Sequence, residues 1–237
     1  MKKNILFAMM LTLVAPALTS CSDDESADKS RITYYAVLEM KGDAYMTTPL
    51  GSTFADPGCV ATMGGEDVTD KIQIIGSVNT SKLGFYNLSY QVVNEDGFPA
   101  SASRTVAVVD KNNFASTYFG ESRYGSRHYY NAPINIKDNG DGTYTINDLA
   151  GGFYSYGRYP GYDAYGYDFF LEAVLKLNAD NTVELVECDG GNWYWEEPIE
   201  ITSGTYDPAS GTYDPASGTI TLVENFSGTP MYVTLTK

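Results

Sequence analysis

From Phe85 to Val93 the apolar residues Tyr86, Leu88, Tyr90 and Val92 alternate with Asn87, Ser89 and Gln91. A period of two puts one face inward and one toward water, so this stretch reads as a half-buried strand. A second such strand spans 101–109, and Asp96-Gly97 between the two supplies the turn of a hairpin. Upstream, a strand pattern runs from Ile32 to Met40, and Lys41-Gly42-Asp43, Asp56-Pro57-Gly58 and Gly64-Gly65 follow at strand-sized intervals. Asp110-Lys111-Asn112-Asn113 is a polar break. Beyond it Ile134 and Ile136, the tight turn Asp138-Asn139-Gly140-Asp141-Gly142, and Tyr144 and Ile146 read as another hairpin. Further strands are expected at 169–177, 183–187, 199–203, 218–223 and 231–235. No stretch carries apolar residues at helical spacing over any length. The pattern predicts an all-β chain in two units, a sandwich over 31–110 and an antiparallel barrel-like or sandwich domain over 114–237.

The first residues have a different texture. Lys2 and Lys3 precede an apolar run from Ile5 through Val14, and Leu18-Thr19-Ser20 leads directly into Cys21. Pro16 interrupts the run too early for a membrane span, so 1–20 reads as a secretory signal peptide. Small residues ending in a cysteine resemble the lipobox of bacterial lipoproteins, which implies lipidation at Cys21. Ser22-Asp23-Asp24-Glu25-Ser26 follows at once and resembles the export signal of surface lipoproteins in the Bacteroidetes. That resemblance implies anchoring at the outer membrane, facing the cell exterior. Residues 21–30, polar and acidic, are expected to be a flexible tether.

Charge narrows the partners. Fifteen Lys and Arg, two of them Lys2 and Lys3 in the signal, face thirty Asp and Glu, which leaves the mature chain at about −17. Nucleic-acid phosphates and anionic lipid would repel it, so no nucleic acid is expected, and the membrane is met through the lipid anchor only. Cys59 and Cys188 fall in different units, which disfavours a bridge between them.

Phe54-Ala55-Asp56-Pro57-Gly58, Ala61, Asp67-Val68-Thr69, Gly84-Phe85-Tyr86, Tyr90, Asp96-Gly97 and Arg104-Thr105-Val106 resemble the immunoglobulin-like domain repeated in bacterial surface proteins. The resemblance implies a seven-strand immunoglobulin-like β-sandwich acting as a spacer. Asp141-Gly142-Thr143-Tyr144, Asp148-Leu149-Ala150-Gly151-Gly152 and the closing Gly218-Thr219-Ile220 to Thr236 resemble the C-terminal domain of uncharacterised lipoproteins from the same bacteria. Gly204 to Ser210 is repeated identically by Gly211 to Ser217, which reads as a duplicated turn in a lengthened exposed loop.

Candidate chemistry concentrates between Phe153 and Phe170, where half the residues are aromatic and glycines and Pro160 break any regular strand. Aromatic faces on a loop suit sugars, whose C–H groups pack on π surfaces while their hydroxyls bond nearby polar groups. Tyr154, Tyr156, Tyr159 and Tyr162 are the expected stacking platforms here, with Arg158 and Asp163 as orienting groups. Trp193, Trp195 and Asn192 form a second such group, and Arg123, His128, Tyr129 and Tyr130 offer a third. Aromatics also pack small β domains, and Trp193-Tyr194-Trp195 has the alternation of a strand with one buried face.

Catalytic signals are thin. His128 is the sole histidine, and neither a Gly-x-Ser-x-Gly elbow nor a His-Glu-x-x-His motif occurs. Asp138 to Gly142 has glycine at the third position, where a calcium loop needs an oxygen ligand, so it reads as a turn. No metal and no cofactor are expected. The functional expectation is non-catalytic capture of a polysaccharide or host glycan, alongside other outer-membrane glycan-uptake proteins. An adhesive role toward other proteins and a lipocalin-like container for a small ligand are the alternatives.

Overall fold

The computed structural model describes residues 32–188, 199–208, 217–226 and 228–237. It is all-β, with fifteen strands in three sheets among the described residues.

Seven strands lie before residue 110. β1 (Ala36–Met40), β3 (Cys59–Met63) and β4 (Glu66–Asp67) form one sheet, in the order β1-β3-β4. β2 (Tyr45–Pro49), β5 (Gln73–Ile75), β6 (Gly84–Val93) and β7 (Pro99–Val109) form the other, in the order β2-β7-β6-β5. β6 and β7 make the expected hairpin, and Leu88, Tyr90 and Val92 turn inward as their alternation predicts. β2 joins the far edge of β7 in parallel. Between the sheets lies Arg104, fully buried on β7. Its guanidinium donates to the Asp56 carboxylate, to the Lys41 carbonyl, to the Tyr90 hydroxyl at 2.9 Å and to the Asp43 carbonyl at 3.0 Å. The Tyr90 hydroxyl in turn donates to Asp56 at 2.7 Å. Burial and this bond to a carboxylate push the Tyr90 hydroxyl up to about 12.

The other eight strands form a single antiparallel sheet that curls into a nearly closed barrel. They are β8 (Thr117–Tyr124), β9 (Arg127–Asp138), β10 (Thr143–Ile146), β11 (Ala173–Leu177), β12 (Val183–Cys188), β13 (Glu200–Asp207), β14 (Thr219–Phe226) and β15 (Thr229–Thr236). Their order is β12-β11-β10-β9-β8-β15-β14-β13. The two edges meet at a bridge between Thr182 and Thr205 and at a bond from the Tyr206 amide to the Asn181 carbonyl, 2.8 Å. Beyond that contact β12 and β13 diverge, and a groove opens between them.

Two hairpin turns of this barrel share a sequence device, Asn-x-Asp-x-Thr. In Asn139 to Thr143 and in Asn178 to Thr182 the central aspartate accepts from both the amide and the hydroxyl of the threonine. The leading asparagine donates to the same hydroxyl at 2.9 and 3.0 Å. These bonds hold the Asp141 and Asp180 carboxyls below their ordinary range. The Asp138 to Gly142 segment is thus a turn whose carboxylates serve its own backbone.

Three strand expectations need correction. The strand expected from 169 begins only at Ala173, because the Leu171 backbone pairs instead with the Leu149 amide and the Asp148 carboxylate. β8 has no counterpart among the predicted strands. Gly204 to Asp207, expected as exposed loop, continues β13, and Tyr206 packs inward against Phe114 with ring centroids 5.0 Å apart. Most of the second copy lies outside the described residues.

Phe119 on β8 meets Phe85 and Tyr45 edge-on, at 5.5 and 5.6 Å, where the β2-β7-β6-β5 sheet and the barrel touch. Lys237 closes the same end. Its Nζ donates to the Asp110 and Asn113 carbonyls at 2.9 and 2.6 Å and lies over the rings of Tyr118 and Tyr206.

Candidate functional site

The connection from β10 to β11 carries the tyrosine-rich segment, and its first part plugs the barrel. Leu149, Ala150, Phe153 and Leu171 are buried among the inward side chains of the strands. Gly152 makes the entry possible: its φ is 82°, and a Cβ there would fall 2.0 Å from that of Ala132. A π-helical turn over Phe153–Arg158 and a 3-10 turn over Tyr162–Tyr165 then bring the chain to the surface.

The aromatic residues divide into a floor and a face. Tyr154 is 8% exposed and packs against Phe153 at 4.9 Å and parallel to Tyr159 at 6.5 Å. Tyr159 stacks on Phe169 at 4.8 Å, Phe169 on Tyr167 at 6.0 Å, and the Arg158 guanidinium lies 5.3 Å from the centre of the Tyr159 ring. Tyr162 leans on Tyr159, Phe169, Tyr165 and Tyr167. Above this floor, Tyr156 is 42% exposed, Tyr162 44%, Tyr167 54% and Tyr165 79%. Arg158, Asp163 and Asp168 are exposed among them.

The structure therefore brings Tyr156, Arg158, Tyr159, Tyr162 and Asp163 into one surface segment. It removes Tyr154 from the set of stacking platforms: its ring belongs to the barrel core, where burial raises its hydroxyl well above the ordinary range. Tyr159 is half-buried with its ring already stacked, so it supports its neighbours. Tyr165 and Tyr167, absent from the expected set, are the most exposed members, and only the folded loop separates them from the inner rings. Asn192, Trp193, Trp195 and Cys21 lie outside the described residues.

The third aromatic group splits in the same way. Tyr129 packs inward on Phe153 at 5.1 Å. His128 and Tyr130 stay outside, where the Tyr130 hydroxyl meets His128 Nδ1 at 2.7 Å and His128 Nε2 meets Glu121 at 2.6 Å. The container alternative fails on this packing, because the loop itself occupies the interior and Tyr156 and Tyr162 face solvent rather than a cavity. Cys59 is a buried free thiol on β3, and burial raises its pKa.

Comparison with known proteins places both units. A family described as "Bacterial surface protein, Ig-like domain" matches residues 38–108. A BT2262-like C-terminal domain family matches residues 109–237, over half of the chain. The chain belongs to the BT2262-like family. Among solved structures it is similar to the lipoprotein BT2262 from Bacteroides thetaiotaomicron, at 29% identity and a TM-score of 0.52 over 86% of this chain and all of that one. Two structures of ZmpB from Clostridium perfringens match at 14% identity, one of CBM51-2 in complex with GlcNAc and INT domains, the other of the M60 catalytic domain with two CBM51 domains. The match spans 85% and 86% of this chain and 43% and 21% of theirs, and its TM-score of 0.28 is too low to carry any inference. No curated protein matches. Neither family of the BT2262-like chain is catalytic by kind. Among the described residues no helix is long and apolar enough to cross a membrane.

Proposed function

We propose that this BT2262-like chain is a lipoprotein anchored through Cys21 at the outer face of the outer membrane, and that its C-terminal barrel captures a polysaccharide or glycan without catalysis. The Ig-like unit, 31–110, serves as a spacer. The observation that supports this reading best is the tyrosine face: Tyr156, Tyr162, Tyr165 and Tyr167 stand exposed on a floor of packed rings. A floor of this kind fixes aromatic faces before a sugar arrives, which lowers the ordering cost of binding. Arg158 and Asp163 beside it supply a donor and an acceptor for hydroxyls.

The test is migration of purified protein through native gels cast with plant, microbial and host polysaccharides. Retardation by one of them, lost in Tyr162→Ala or Tyr165→Ala while the fold is retained, is the expected result. Unchanged migration in every gel would overturn it. A second reading, adhesion to surface proteins, draws on another exposed aromatic pair in the Ig-like unit, Tyr35 and Phe98, 5.7 Å apart. It predicts a captured partner that soluble glycan does not release.

A further inference from the structure

The barrel encloses two carboxyl groups that the tyrosine face does not use. Glu224 stands on β14 in the inward row Ile220, Leu222, Glu224, Phe226, and it is fully buried with no hydrogen-bond partner for either oxygen. Cross-strand register sets Leu222 opposite Val233 and Val233 opposite Ser122. Directly paired residues share a face of the sheet, so Ser122 points inward with them. Its Oγ is buried and also without a partner. Asp148 enters from the plugging loop, fully buried. Its Oδ1 accepts from the Ala150 and Leu171 amides at 3.1 and 3.4 Å, while its Oδ2 has no partner. That loop lies close against the same strands: a Cβ on Gly120 would sit 2.7 Å from the Gly151 carbonyl oxygen, and one on Gly151 2.6 Å from Val233. Ser155, half-buried on the π-helical turn, adds a hydroxyl oxygen that is itself covered and unpartnered.

The charge of Asp148 reaches Glu224 and, together with burial, raises its proton affinity. Two acids buried in one interior either hold their protons or give them up to a positive partner. Arg104, in the other unit, is the one basic side chain fully buried among the described residues. Five oxygens are left over: three from carboxylates and two from hydroxyls. An all-oxygen set that carries two negative charges once a metal displaces its protons to solvent suits a hard divalent cation rather than a thiolate- or imidazole-seeking one. No three His, Cys, Asp or Glu side chains converge among the described residues, so the hydroxyls are needed to complete the set.

We propose that Asp148, Glu224, Ser122 and Ser155 bind a calcium ion inside the barrel. The ion would tie the loop that carries the tyrosine face to the strand wall beneath it. This stands apart from glycan capture, since it concerns the interior and requires no sugar.

Protein stripped with a chelator and desalted is titrated with calcium chloride, with bound calcium measured by equilibrium dialysis and unfolding followed by heating. One calcium per chain is expected, with the unfolding midpoint rising by roughly 5 °C or more at saturation. Glu224→Gln and Asp148→Asn should each abolish both effects while still unfolding cooperatively. Terbium in place of calcium should give tyrosine-sensitised emission that either substitution removes. Failure of the wild type to retain calcium would overturn the proposal, as would equal binding by both variants, which would assign the ion to surface carboxylates. Should one variant not fold, the other and the terbium signal decide.

Discussion

The two units each bury ionisable groups, Arg104 and Tyr90 in one and Asp148 and Glu224 in the other, and they treat them in opposite ways. In the Ig-like unit, Asp56 meets Arg104 and the Tyr90 hydroxyl, and the remaining guanidinium donors reach two backbone carbonyls. In the barrel, burial pushes the Asp148 carboxyl up to about 7, and burial together with the Asp148 charge pushes Glu224 well above its usual range. A buried group that finds an opposite charge and filled hydrogen bonds is structural, because the fold itself meets its needs. A buried acid with an unfilled oxygen calls for a proton, a water or an ion to meet it.

Breaking the satisfied cluster should have the largest effect. Arg104→Ala leaves Tyr90 and two carbonyls without their donor while Asp56 stays open to water, and should cost about 2–3 kcal/mol in urea unfolding. A loss below about 1 kcal/mol would mean water enters freely and the cluster is not sealed. The unpartnered acids should respond far less. In calcium-free buffer near pH 7.5, Glu224→Gln replaces a buried acid that has no partner with an amide of the same shape and should change stability by less than about 1 kcal/mol, read from the same unfolding curves. Destabilisation beyond that in the same buffer would show that Glu224 has a partner of its own.

Lys237 sharpens the contrast from a third position. Burial lowers its pKa to about 8, from an ordinary value near 10.4. Between those two values the unfolded chain holds more protons than the folded one, so this group makes stability rise with pH across that window. Comparing thermal midpoints at pH 7.5 and 10 for the wild type and Lys237→Met should show that the variant lacks this increment. The smallest effect should come from the outer tyrosines. Tyr165→Ala should change stability by less than about 0.5 kcal/mol, measured by urea unfolding, because its ring is mostly exposed. Its effect on polysaccharide retardation, if the tyrosine face binds sugar, should be far larger than its effect on folding.

Which of these features could be read from the chain follows from how local each one is. β6 was legible because Leu88, Tyr90 and Val92 are apolar at every inward position. β8 was not, since its inward row is Tyr118, Gly120, Ser122 and Tyr124, with a glycine and a serine where the pattern needs apolar residues. Gly120 has a cause in the fold, since it admits the backbone of the plugging loop, while Ser122 stands in the inward row with its hydroxyl buried and unpartnered. The tyrosine segment was legible as a whole from its composition. Its division into Tyr154 beneath and Tyr165 above was not, because both stand in similar aromatic and glycine-rich surroundings along the chain.

The sequence alone determined the all-β class, the two units, the resemblance of the first to an Ig-like domain, the surplus of acid and the density of aromatic residues near 160. These follow from alternation, turn residues and composition, which act over a few positions at a time. Tertiary structure decided which tyrosines face water and that Asp148 and Glu224, seventy-six positions apart in number, share one interior. Those outcomes depend on how an eight-strand sheet closes around the β10–β11 connection. Closure is a long-range property, set by register between strands distant in the chain, and no local pattern encodes it.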